Sequence, residues 1–130
     1  MPRTSVQAKL YQAIGPYSHA VRSGSHIFIS GTLGVDPSTG QLAGEDVYIQ
    51  TKQILKNFEA CLKAEDASFD DIMHVQVNLI ETSDFQEMNR AFAEFFREPY
   101  PARTVIVIAA LPKPGARLTM NATALVERNG

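Results

Sequence analysis

A two-layer α+β domain, with one mixed sheet and two helices on one of its faces, is the fold class that this sequence predicts. Three observations carry the prediction. Two segments repeat apolar residues at helical spacing. Four segments alternate with period two, and another is apolar on both faces. No internal repeat or Pro/Gly/Ser-rich linker divides the 130 residues, so residues 1–130 read as one domain. Two amphipathic helices cover only one face of a sheet. The opposite face has apolar residues too, particularly from Val105 to Ile108. Such a face is usually covered by another subunit, which predicts a homo-oligomer.

The elements follow in chain order. Up to about Gln12 the residues carry little pattern. In IGPYSHAVRSGSHIFISG, SHAVR alternates weakly, Ser23-Gly24-Ser25 turns the chain, and HIFIS places Ile27 and Ile29 on one face; this predicts a hairpin. Asp36-Pro37 and Thr39-Gly40 in VDPSTGQL predict a turn. From Asp46 to about Glu65, Val47, Ile54, Leu55, Phe58, Cys61 and Leu62 recur at helical spacing, with Lys52, Lys56, Glu59 and Lys63 on other faces. IMHVQVNLI returns to period two, Val75, Val77 and Leu79 pointing one way and His74, Gln76 and Asn78 the other. Ser83, with Gln86 three residues on, predicts a capping box that opens a second helix. Its stripe is Phe85, Met88, Phe92 and Phe96, and Pro99 and Pro101 stop it. TVIVIAALP, β-branched on both faces, predicts a central strand. Lys113-Pro114-Gly115 then turns the chain into RLTMNATALVE, with Leu118, Met120, Ala122 and Ala124 on one face and Arg117, Thr119, Asn121 and Thr123 on the other.

Composition narrows the function. Hydrophobic residues make 45% of the chain, enough for a core. Lys and Arg number 12 against 14 Asp and Glu, a net charge of −2, which argues against coating nucleic acid. A small anionic ligand stays open, because one local cation suffices for it. The single cysteine, Cys61, cannot form a disulfide within the chain, and it sits on an apolar helical stripe as a packed thiol. The N-terminus lacks the apolar core of a signal peptide and no run is long enough to span a bilayer, so a soluble cytoplasmic protein is expected. His19, His26 and His74 are scattered without metal or triad spacing, and there is no Walker loop, GxGxxG or zinc-deaminase signature. No metal or nucleotide cofactor is therefore expected, and any catalysis must use hydrogen bonds, one cation and water.

That cation is Arg103, the one charge in PYPARTVIVIAALP. A group that cannot lose its proton at the mouth of an apolar strand snorkels to water, pairs with an acid such as Glu94, Glu98 or a neighbour's, or meets an anionic ligand. Its planar fork matches a carboxylate with two parallel hydrogen bonds. Gly15-Pro16-Tyr17 is a rigid turn presenting a phenol, either to a ligand or as an ordinary packing residue. Ser30-Gly31 ends a strand, where a backbone amide could meet an oxyanion or simply turn the chain. Asn121 and Thr123 lie on a polar stripe, which is a solvated face or the wall of a cleft closed by a second subunit.

Together these segments resemble the RidA/YjgF family, also called the L-PSP endoribonuclease or translation-initiation-inhibitor family. AIGPYSHAV resembles its N-terminal motif, IFISGTLGVDPSTGQL its SGQ-type strand and turn, Thr51 to Leu62 its first helix, and DFQEMNRAFAEFF its DF..VN..Y..FF helix. YPARTVIVIAALPKPGARLTMNATAL occupies the place of its PAR signature. The resemblance implies a chorismate-mutase-like fold with a mixed six-stranded sheet, assembled as a homotrimer with ligand clefts between subunits. It implies a metal-independent hydrolase without a bound cofactor. Archetypal members convert reactive enamines and imines such as 2-aminoacrylate and 2-aminocrotonate to 2-keto acids and ammonia. Residue by residue, Arg103 matches the arginine that binds the substrate carboxylate and Tyr17 the tyrosine lining the pocket. Ser30 and Gly31 match the strand end close to the ligand, and Asn89 matches the asparagine of the second helix near the site. Val105 stands where many members carry cysteine, so only its backbone is left to contact a ligand. One departure stands out. The glutamate of the final-strand IEIEA-like motif is Asn121 here, which orients water but cannot pass a proton. The resemblance therefore implies a 2-iminobutanoate/2-iminopropanoate deaminase-like activity. A non-catalytic keto-acid-binding protein of the same fold, or a ribonuclease or translation inhibitor, are the alternatives.

Overall fold

In the computed structural model, which describes residues 2–127, strands form at β1 (Thr4–Ser5), β2 (Ala20–Ser23), β3 (His26–Thr32), β4 (Val35–Asp36), β5 (Gln41–Leu42), β6 (Ile72–Leu79), β7 (Ala102–Val107) and β8 (Leu118–Leu125). The helices are α1 (Val47–Lys63) and α2 (Phe85–Phe92), with short 3-10 turns at Phe69–Asp71 and Thr82–Asp84. Six strands make one sheet in the order β1-β2-β3-β8-β6-β7, and β4 and β5 make a separate small hairpin. Only β6 and β7 pair in parallel, and the connection between them carries α2. The mixed six-stranded sheet with two helices follows the expected fold class.

Local chemistry sets each boundary. The pairing of Ser23 with His26 leaves Gly24 and Ser25 as the hairpin loop, and Gly24 adopts a φ of 59°, a left-handed value that suits glycine. Asp46 caps α1 by accepting a 2.8 Å hydrogen bond from the Ile49 amide. Ile54, Leu55, Phe58, Cys61 and Leu62 of α1 then bury against Ile27, Ile29, Val75, Val77, Met120 and Ala122 of the sheet. Alternation decides which strand residues do this. Val75, Val77 and Leu79 on β6, and Leu118, Met120, Ala122 and Ala124 on β8, are all buried, while the residues between them are half-buried on the opposite, open face.

Two buried amides of α1 fasten the loops. Gln50 donates to the carbonyls of Gly44 and Gly115, each at 3.0 Å, and accepts from the Arg117 amide at 2.8 Å. Asn57 donates to the carbonyls of Leu33 and Val35 at 3.2 and 3.0 Å. Helix and loop approach closely here, so that a Cβ on Gly34 would lie 2.7 Å from the Gln50 backbone oxygen.

The structure corrects several expectations. TVIVIAALP is not a central strand. It forms the edge strand β7 and ends at Val107. The crossover through α2 delivers it to the outer side of β6, because β8 already occupies the inner side. Ile106 and Val107 are consequently 43% and 50% exposed. The capping box at Ser83 and Gln86 is absent. Ser83 lies in a 3-10 turn, α2 starts at Phe85, and the carboxylate of its cap residue Asp84 is committed to Arg117 by hydrogen bonds of 2.9 and 3.0 Å. The helix also ends at Phe92, before the prolines, although Phe96 keeps its place in the core by stacking on Phe92 with ring centroids 4.3 Å apart. Two features were not anticipated: the strand Thr4–Ser5 and the pairing of Val35–Asp36 with Gln41–Leu42.

Candidate functional site

Arg103 is the second residue of β7 and pairs in register with the buried Val75, which fixes its side chain on the helix side of the sheet. It meets the inner face of α2 there. Its guanidinium carbon lies 4.9 Å from the Phe92 ring centroid and 5.9 Å from that of Phe85, and Nη1 lies 4.0 Å from the Met88 sulfur. Among the described residues, no carboxylate is within ion-pair distance of it. Glu94 is instead held by Lys52 at 3.4 Å and by the Tyr48 hydroxyl. Burial alone acts on the guanidinium, lowering its pKa from the ordinary arginine value. A partly desolvated cation without a carboxylate partner has N–H donors with which an anion could pair.

A cavity of about 390 Å³ opens beside it, lined by Asn89, Phe92, Ala93, Tyr100, Pro101 and Arg103. Asn89 and Arg103, on separate elements, therefore meet in one cavity, in which the cation sits among aromatic walls with a single neutral amide. Val105 lies two residues beyond Arg103 on the same side and packs partly against the core. Among the described residues no carboxylate or imidazole lines this cavity; its polar groups are the Arg103 guanidinium, the Asn89 amide and the Tyr100 phenol. Phe92, Ala93, Tyr100 and Pro101 were not singled out from the sequence as site residues. Tyr100 lies between Pro99 and Pro101, three residues ahead of the arginine, a position that carries no signal of its own.

The other candidates lie elsewhere on the chain. Asn121 pairs in register with Gln76 on the open face, among neutral polar side chains joined by hydrogen bonds from Gln76 to Asn78 (3.0 Å) and from Asn78 to Thr119 (3.2 Å). It is half-buried, on the opposite side of the sheet from Arg103. Tyr17 stands in the loop before β2, 40% exposed and edge-on to His19 with centroids 5.8 Å apart. Ser30 anchors that loop: its amide donates to the His19 carbonyl at 2.9 Å and its hydroxyl to the Ser18 carbonyl at 2.6 Å. Gly31 sits where the β3–β8 register shifts, with no atom within 4 Å of the place its Cβ would take. Its backbone is therefore open to approach. β3 and β7 are separated by β8 and β6, or about 14 Å at three strand spacings. A single chain thus unites Arg103 with Asn89, and leaves Asn121, Tyr17, Ser30 and Gly31 apart from them.

Other reactive groups are quiet. Burial pushes the Cys61 thiol up to about 11, so it holds its proton at neutral pH. Among the described residues, no group of three or more His, Cys, Asp or Glu could hold a metal ion, and no helix is long and apolar enough to cross a membrane.

The Endoribonuclease L-PSP family matches residues 7–126. A human 2-iminobutanoate/2-iminopropanoate deaminase is 42% identical over 118 residues, 91% of this chain and 85% of that protein. A RutC family protein of Pyrococcus horikoshii is 42% identical over 100 residues, 77% of this chain and 79% of that protein. Among solved structures, RidA from an Antarctic Psychrobacter superposes with a TM-score of 0.89 at 35% identity, covering 95% of this chain and 99% of that one. TdcF of E. coli, solved with bound serine, superposes with a TM-score of 0.88 at 32% identity, covering 95% of this chain and 99% of that one. A match across this much of the chain, with the RidA fold, shows that the chain belongs to the Endoribonuclease L-PSP family, the RidA/YjgF proteins.

Proposed function

We propose that this protein is a reactive-intermediate deaminase, which hydrolyses small imino acids derived from enamines such as 2-aminoacrylate and 2-aminocrotonate to 2-keto acids and ammonia. The observation that carries the reading is Arg103, a half-buried cation with no carboxylate partner among the described residues, set in a cavity. Deaminase-named relatives at about 40% identity support the chemistry. A relative that holds serine supports an amino-acid-sized carboxylate ligand.

In the proposed mechanism Arg103 binds the substrate carboxylate through its N–H fork. The enamine tautomerises to the imine. A water held by Asn121 or Tyr17, with backbone groups near Ser30, Gly31 and Val105, adds to the C=N carbon while a proton reaches nitrogen. The carbinolamine collapses to the keto acid and ammonia leaves. Imine hydrolysis is intrinsically easy, so orientation and carboxylate binding carry most of the acceleration. The residues concerned are spread over both faces and both ends of the sheet, so the site is assigned to a cleft between subunits of a homotrimer. The open face of β6, β7 and β8 is the surface offered for that assembly.

The test couples a pyridoxal-phosphate dehydratase, which releases 2-aminocrotonate, to keto-acid detection with and without this protein. Acceleration that disappears in Arg103→Ala supports the reading, and full activity in that variant would sink it. Asn121 in place of an acid favours one other reading, a keto-acid-binding protein without turnover. Stabilisation by 2-oxobutanoate with no acceleration of hydrolysis would identify it.

A further inference from the structure

Arg103 is held by aromatic faces instead of by an acid, and that arrangement has a geometric consequence. A guanidinium is planar: its two faces accept aromatic rings, and its edge carries the N–H donors that a carboxylate needs. Phe92 lies 4.9 Å and Phe85 5.9 Å from the guanidinium carbon, and Met88 adds a soft sulfur at 4.0 Å from Nη1. All three belong to α2, at spacings of three and four residues that place them on one helix face. An acidic partner would occupy the donor edge and neutralise the charge. Aromatic rings stabilise the cation without neutralising its charge.

The three side chains differ in how they are built in. Met88 and Phe92 are buried, and Phe92 also stacks on Phe96. Phe85 is 39% exposed. Phe85 stands in the first turn of α2, outside the buried core, with the Arg103 guanidinium carbon over its ring.

We infer that Phe85, together with Phe92 and Met88, is a positioning residue that presents the Arg103 fork to the ligand carboxylate. The inference rests on the carboxylate-binding reading of Arg103 given above and adds a device for preorganising it. Phe85 acts through Arg103, without touching the reacting atoms.

The experiment is a double-mutant cycle on the full chain, read by calorimetric titration of 2-oxobutanoate, with 2-oxobutanamide as a neutral control. Phe85→Leu keeps an apolar side chain and removes the ring. The expected result is a carboxylate affinity about 2- to 5-fold weaker, the range of a partly exposed cation–π contact. Affinity for the amide stays unchanged, and Phe85→Leu has no further effect in the Arg103→Ala background. A fold defect would weaken both ligands in both backgrounds, and that outcome would overturn the inference. So would an unchanged affinity in Phe85→Leu. If Arg103→Ala loses 2-oxobutanoate while Phe85→Leu does not, the positioning role alone falls. If Arg103→Ala binds 2-oxobutanoate as the native protein does, the carboxylate reading falls and takes the positioning role with it.

Discussion

Arg103 and Arg117 offer a controlled comparison, because both stand near the starts of the strands that flank β6 and their surroundings are opposite. Arg117 donates two hydrogen bonds to Asp84, whose side chain is only 12% exposed. Arg103 has no such partner among the described residues, and burial depresses its pKa. Methionine at either position keeps an apolar stem and removes the charge. Arg117→Met strands the Asp84 carboxylate. Breaking a fully buried pair costs about 3–5 kcal/mol. The Arg117 side chain is 38% exposed, and solvent screening brings the expectation down to roughly 1–3 kcal/mol. Arg103→Met strands nothing. It relieves a desolvated charge and loses a cation–π contact of about 0.5–1 kcal/mol, so the two effects oppose and the net stays within about 1 kcal/mol. For a domain of this size 1 kcal/mol moves the thermal midpoint by about 4 °C. Calorimetry should therefore show Arg117→Met lower by roughly 4–12 °C and Arg103→Met within about 4 °C of the native protein. Binding should invert the order. Loss of a charge-assisted pair of hydrogen bonds worth about 3 kcal/mol weakens 2-oxobutanoate by about 100-fold in Arg103→Met, and Arg117→Met leaves it nearly unchanged. An Arg103→Met protein as unstable as Arg117→Met would refute the reasoning, because it would mean that Arg103 is balanced by the fold after all.

Other consequences follow from the same contacts. Gly34→Ala forces a Cβ to 2.7 Å from the Gln50 backbone oxygen, which a helix cannot move away cheaply; a loss of about 1–3 kcal/mol in denaturant unfolding is expected. Gln50→Leu leaves two carbonyls and one amide without their partner and should lower stability by roughly 2–4 kcal/mol, measured the same way. Cys61 should react with a thiol reagent at pH 8 roughly 100-fold more slowly in the native state than in denaturant, since its pKa rises from 9.0 to about 11 and the thiolate fraction falls with it. The Tyr48 hydroxyl is the main cause of the lowered pKa of Glu94, followed by Lys52, so Tyr48→Phe should raise the Glu94 titration seen by carboxyl NMR. Because that pKa is depressed on folding, the stabilisation it reports is present above the ordinary value of 4.5 and is lost as pH falls through the lower folded value. This contribution should therefore hold from neutral pH down to about 5 and be lost only below that.

The fold was legible wherever one face of an element is buried within the chain. β6 and β8 alternate because the helices cover one side of them and not the other, and α1 shows its stripe for the same reason. What failed is what depends on distant partners. The sequence of β7 records that it is apolar on both sides, but not which strand stands next to it. The capping pattern at Ser83 and Gln86 gave way because Asp84 is engaged by an arginine 33 residues away. Gln50 and Asn57 are polar and were left out of the α1 stripe, yet both are buried, since the carbonyls that accept from them come from segments outside the helix.

The site divides along the same line. Arg103 could be singled out because a lone charge in an apolar run is conspicuous, and its neighbour Tyr100 could not, because an aromatic between prolines is ordinary. The parity of β8 already separates Asn121 from the buried Met120 and Ala122, but only the register with β6 and β7 shows that Arg103 faces the other way. About 14 Å of sheet lies between β7 and the strand end at Ser30 and Gly31, further than a four-carbon imino acid can reach. A ligand seated on the Arg103 fork can therefore touch a Gly31 amide only if a second copy of the chain presents it. On that argument the unpaired arginine and the uncovered sheet face have one common explanation. Under the proposed function, subunit assembly would supply the rest of a site of which each chain holds the anion-binding half.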